Sequence, residues 1–182
     1  MSSPRPSRPR SSPARSSGRS GARPAIAAGA TALALLLVPS VASARIVPGS
    51  SIAGVKLGAS VEDVRGVLGT PRRISHPSNE ITGTTTVYAY RGLTVTFGPG
   101  SAAEATVIAV SSGRRAERTA RGIGVGSSRG ALRRAYPKVR CEAVGRRAVC
   151  TLGALRPGAR VTTFRIAASN RVGRVEVGLV ID

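Results

Sequence analysis

One stretch of this chain is written twice. From Gly54 the sequence reads GVKLGASVEDVRGVLG, and from Gly122 it reads GIGVGSSRGALRRAYP. Without a gap, Gly54 aligns with Gly122, Val55 with Ile123, Leu57 with Val125, Gly58 with Gly126, Ser60 with Ser128, Val64 with Leu132 and Arg65 with Arg133. Each copy spells a short apolar segment, a glycine bend, a serine cap and one short helix. An internal repeat constrains architecture before any local propensity does. The expected fold class is therefore α+β, built from two tandem helix-plus-β-meander units.

The expected boundaries are a leader over 1–44, a first unit over 45–113, a basic linker over 114–121 and a second unit over 122–182. In the first unit, Ser60 is an N-cap and Asp63, three residues later, makes it close to a capping box. Val61, Val64, Val67 and Leu68 recur at helical spacing, so that helix lies on something. Gly69-Thr70-Pro71 stops it. The period then changes to two: Thr86, Tyr88 and Tyr90 share one face of a strand, Leu93 to Phe97 returns, and Ala105 to Val110 follows. In the second unit, Ser128 opens a helix that Pro137 ends, with Arg129, Arg133 and Arg134 on its exposed side. Val161 to Ala167 and Val172 to Ile181 read as two long strands.

Residues 1 to 24 are almost entirely Ser, Pro, Arg and Gly, and Ala25 to Val38 is an apolar run too short to span a bilayer. Pro39 follows, and Ala42-Ser43-Ala44 supplies small residues before a cleavage point. These three regions together predict a secretory signal peptide cut after Ala44, and hence a secreted or cell-envelope protein. The remaining chain holds 22 bases against eight acids, and 16 of those bases fall from Arg114 onward. Such a field attracts anionic polymers and lipid surfaces outside the cell. Arginines scattered over solvated faces by the composition of a GC-rich genome are the alternative. Nucleic acid is disfavoured by the leader and by the lack of interleaved aromatics for base stacking.

The strongest local signal is Cys141-Glu-Ala-Val-Gly-Arg-Arg-Ala-Val-Cys150. A two-residue turn at Gly145-Arg146 pairs 144 with 147, 143 with 148, 142 with 149 and 141 with 150. The cysteines then face each other at a non-hydrogen-bonded position, where side chains come closest. A cross-strand disulfide is predicted, in keeping with export and an even cysteine count.

No enzyme is expected. The lone histidine, His76, precedes a proline in a loop, and nothing supplies it with a nucleophile. One histidine and two paired cysteines cannot make a zinc set, so neither metal nor other cofactor is predicted. Gly122-x-Gly124-x-Gly126 lacks the Lys-Ser or Lys-Thr ending of a phosphate loop. Glu62 and Asp63 belong to the helix start rather than to acid–base work.

The form G-x-x-x-G-x-S, short helix, G-x-P and strand meander, carried by Gly54, Gly58, Ser60, Val64, Gly69 and Pro71 and again by Gly122, Gly126, Ser128 and Leu132, resembles the secreted beta-lactamase inhibitor protein family. It is also similar to the outer-membrane assembly lipoproteins of the small-protein-A type. The resemblance implies one antiparallel sheet of about eight strands, with short helices on one face and the other face left to meet a partner. It would place the contact loop at His76 to Thr84, where Glu80 is the only acid. The chain departs from the inhibitors in having no Trp, and from the lipoproteins in having no cysteine at the cleavage site.

Two functions follow as expectations. The first is a non-enzymatic module that binds an extracellular or envelope protein through Tyr88, Tyr90, Arg91, Phe97 and Glu80, unless those aromatic positions face the helices instead. The second is an envelope polyanion or anionic-lipid binder working through Arg114, Arg115, Arg118, Arg121, Arg129, Arg133, Arg134, Arg146 and Arg147.

Overall fold

Period-two alternation dominates the chain after Ser60, and the computed structural model, which describes residues 45–80 and 83–181, is accordingly mostly β. In chain order the elements are β1 (Ile46–Val47), β2 (Ser51–Ile52), β3 (Val55–Lys56), α1 (Val61–Leu68), β4 (Arg73–Ser75), β5 (Ser78–Asn79), β6 (Gly83–Thr84), β7 (Thr86–Tyr90), β8 (Leu93–Phe97), β9 (Val107–Ser112), α2 (Arg129–Ala135), β10 (Arg140–Val144), β11 (Arg147–Leu152), β12 (Arg160–Ile166) and β13 (Val172–Leu179). An eight-stranded antiparallel sheet runs in the order β10-β11-β12-β13-β9-β8-β7-β4. A three-stranded sheet, β1-β2-β3, and a two-stranded ribbon, β5-β6, complete the β structure. No helix among the described residues is long and apolar enough to cross a membrane. The signal peptide and its cleavage point after Ala44 lie outside the described residues.

The α+β expectation of two helix-plus-meander units is corrected by this architecture. The helices have only eight and seven residues. Ahead of α1 the chain folds into a three-stranded sheet of its own, whereas the aligned stretch ahead of α2 makes isolated bridges and no strand. What the two stretches share is local. Gly54 and Gly58 adopt positive φ of 85° and 83°, Gly122 and Gly126 of 74° and 92°, a backbone region that glycine enters without steric cost. Ser60 accepts from the Asp63 N–H while the Asp63 carboxylate accepts from the Ser60 N–H, a complete capping box; Ser128 accepts from the Ala131 N–H.

The core lies on one face of the large sheet. A single row of side chains runs Tyr90, Leu93, Ser112, Val175, Phe164, Cys150 and Cys141 across seven strands, and the next row runs Tyr88, Val95, Val110, Val177, Thr162 and Leu152. Val64 of α1, Leu132 of α2 and Ile46, Ile52 and Val55 of the small sheet are buried in the same cluster. Each such side chain contributes on the order of 1.5–3 kcal/mol by leaving water. Thr162 is buried at no polar cost, because its hydroxyl accepts from the Gly49 N–H at 2.7 Å.

The basic stretch Arg114 to Arg121 is no spacer. Its Glu117 and Thr119 are buried. The Ile46 N–H donates to the Arg118 carbonyl at 3.0 Å, and Thr119 forms a parallel bridge with Ile46.

Candidate binding face

Because strand side chains alternate, the residues between the core rows form the opposite face. One row crosses all eight strands in register: Arg73, Ala89, Thr94, Ser111, Glu176, Thr163, Thr151 and Arg140. Thr96, Ala109 and Val87 flank it. The surface is a carpet of small and hydroxyl side chains, with an arginine at each edge strand.

Its charge gathers toward the β12–β13 end. Arg165 and Arg174 stand directly opposite each other in the register. Like charges so placed are unfavourable. Arg165 lies 3.6 Å from the Glu176 carboxylate, and Arg174 donates to the Ser111 hydroxyl at 2.9 Å. With Arg165 more than half exposed, the ion pair with Glu176 offsets little of that repulsion.

The residues expected at a protein interface are divided by the structure. Tyr88 and Phe97 are core, 4% and 0% exposed, with rings edge-to-face at 4.9 Å. They face the helices and not a partner, which corrects their assignment to an interface. The Tyr88 hydroxyl accepts from Arg65 Nη2 at 3.2 Å. Tyr90 is half-buried at the margin of the same face and donates to the Gly69 carbonyl at 3.3 Å. Burial raises its phenol above the usual range, the neighbouring Tyr88 adding to the shift and Arg65 opposing it. Arg91 and Glu80 are exposed. His76 is exposed too, with Nδ1 3.1 Å from the Thr86 hydroxyl.

Among the nine arginines expected to meet a polyanion, three serve the fold. Arg114 donates to the Arg91 carbonyl at 2.6 Å and contacts Glu117; Arg118 reaches the Gly122 carbonyl and the Ser127 hydroxyl; Arg121 bonds the Ala135 carbonyl and stacks over Tyr136 at 5.2 Å. Arg115, Arg133, Arg134, Arg146 and Arg147 are exposed, and Arg129 is half-buried. Cys141 and Cys150 form the expected disulfide in the expected register.

Thr94, Thr96, Thr151, Thr163, Arg165 and Arg174 are face residues that the sequence reading passed over. Their signal was the polar half of each alternating strand, which becomes a surface only when the strand order is known.

No protein-family model matches the sequence, and no curated protein matches it. Two solved structures are similar. One is an extracellular protein containing a SCP domain from Bacillus anthracis, at 16% identity and a TM-score of 0.44, covering 67% of this chain. This chain spans 43% of that protein's length. The other is a DUF4309 family protein from Bacillus subtilis, at 15% identity and a TM-score of 0.44, covering 76% of this chain and 90% of its own. At these scores the likenesses assign neither family nor activity.

Proposed function

We propose that this protein is an exported, non-enzymatic binding module that engages an acidic protein partner through the open face of its eight-stranded sheet. The observation that carries the reading is the in-register pair Arg165 and Arg174 on that face. A stability-neutral surface has no reason to set two guanidiniums directly opposite each other. A carboxylate-bearing partner would relieve both at once, and planar bidentate pairing makes arginine well suited to that task. The leader over 1–44, cut after Ala44, and the Cys141–Cys150 disulfide support export into an oxidising compartment. The small side chains along the Thr94 row let a flat surface approach closely.

The test is affinity capture from secreted and envelope fractions on the oxidised protein, at low and then near-physiological salt. Beside it runs a variant carrying Thr94→Glu and Thr96→Glu on the face. A discrete acidic protein that survives the salt step and is lost by the variant supports the reading. Equal capture by the variant overturns it. The second reading, an anionic polymer ligand, is favoured by a separate feature at the sheet's end.

A further inference from the structure

Among the described residues, one buried side-chain nitrogen or oxygen has no hydrogen-bond partner: Nε of Arg129. A buried donor without an acceptor costs on the order of 1–3 kcal/mol. Arg129 opens α2 and is held against the β12–β13 turn, where its N–H donates to the Asn170 carbonyl at 3.1 Å and Ser128 bridges Arg171. Beside it lies a cavity of about 150 Å³, lined also by Arg146 and Arg147 from the β10–β11 turn and by Asn170. That is the space of about five liquid waters. Three arginines line it and no acidic residue does.

The cavity does not end there. Arg147 also lines a larger depression of about 430 Å³ on the other side of the β12–β13 turn, together with Arg165 and Arg174. Five arginines thus line the two depressions, of which Arg165 is paired with Glu176 at 3.6 Å and Arg174 donates to Ser111. Confining that much positive charge beside an unsatisfied donor is unfavourable for the free protein and favourable once a multiply charged acceptor arrives.

We infer that this track is a binding site for a chain of phosphates, with one phosphoryl group seated in the cavity between Arg129, Arg146 and Arg147 and the following groups running past Arg147 toward Arg165 and Arg174. The inference shares Arg165 and Arg174 with the protein-partner reading, but its anchor is separate: the cavity at Arg129, Arg146 and Arg147 opens beside α2 and not on the Thr94 row. Tetrahedral oxyanions offer acceptors in several directions, which suits a cavity lined by three arginines, whereas a lone carboxylate would leave part of the donor set unpaired.

Calorimetric titration of the oxidised protein with inorganic phosphate, pyrophosphate and tripolyphosphate tests this, at low and near-physiological salt. Affinity should rise with chain length. Arg146→Gln, in an exposed turn where the fold tolerates it, should weaken tripolyphosphate binding about tenfold. Arg129→Gln should do the same, with its thermal unfolding recorded alongside; if that variant fails to fold, the Arg146→Gln result decides. The control is Arg133→Gln with Arg134→Gln on the exposed side of α2, which removes two nearby charges and should change affinity less than either single variant. An equal loss in the control, or no tripolyphosphate binding at all, overturns the site. Vesicles containing phosphatidylglycerol form a separate arm: binding there that is indifferent to Arg129→Gln and Arg146→Gln, without tripolyphosphate binding, assigns the anion affinity to the diffuse basic surface and also overturns the site. Arg146→Gln, off the Thr94 row, should leave capture of a protein partner unchanged, so this site and the protein-binding face can fail separately.

Discussion

The Ser112 hydroxyl donates to the carboxylate of Glu117, and both residues are buried, at 0% and 1% exposure. Ser112 sits mid-sheet between Leu93 and Val175, so an acid is held within the apolar layer. Arg114 caps the other carboxylate oxygen at 3.4 Å. Removing the acid leaves the buried Ser112 O–H without an acceptor and takes from Arg114 one of its two side-chain partners, the Arg91 carbonyl remaining. Glu117→Ala should therefore cost about 2–4 kcal/mol in denaturant unfolding, and Glu117→Gln, which keeps a partner for Ser112, clearly less. Equal losses would show that the carboxylate charge carries the whole effect and that the retained partner for Ser112 contributes nothing.

Gly124 runs so close to the Glu117 carbonyl that an added Cβ would collide with backbone. Gly124→Ala should destabilise by about 1–3 kcal/mol. Gly66 in α1 gives the opposite sign: its Cβ would meet nothing within 4 Å. Gly66→Ala should stabilise by about 0.5–1 kcal/mol. Thermal melts of the two variants should move in opposite directions.

The Cys141–Cys150 bridge closes a nine-residue separation at the end of the core row that starts at Tyr90. Reduction, or paired Cys141→Ser and Cys150→Ser, should lower stability by about 2–3 kcal/mol without dissolving the sheet. Comparing urea midpoints with and without reductant measures it. A midpoint that does not move would mean that the hairpin is already fixed by Cys150 packing against Phe164.

Asp63 makes stability pH-dependent at the start of α1. Hydrogen bonds from the Ser60 side chain, then from the Ser60 N–H, hold its carboxyl below the ordinary value of 3.8. A group depressed in the folded state contributes stability above its unfolded pKa and loses that contribution as pH falls through the folded one. The melting temperature should thus decline on acidification below about pH 4, and part of that decline should vanish in Asp63→Asn. An identical acid limb in both proteins would remove the capping box from the account.

Features with a local cause were legible in the sequence. The register of Cys141 with Cys150 follows from a glycine turn and pairing by count, and the capping box of Ser60 and Asp63 needs only four residues. Tyr88 and Tyr90 were placed on a common face, but alternation carries no sign: it does not say which side the helices cover, and the structure puts Tyr88 inside. Strands of two residues, such as β1 to β3, are too short to show a period at all. That is why the small sheet was missed and two like units were expected. Glu117 and Thr119 sat within a run that composition marks as solvated. Arg165 and Arg174 became neighbours only through the pairing of β12 with β13.

The two end strands of the large sheet set its width. β4 has three residues and lies between Pro71 and Pro77, and β10 carries Arg140 and Glu142 and is tied to β11 by the disulfide. Short, charged or proline-flanked edges are poor templates for another strand. The open face can be wide and flat while its margins are poor templates for edge-to-edge growth.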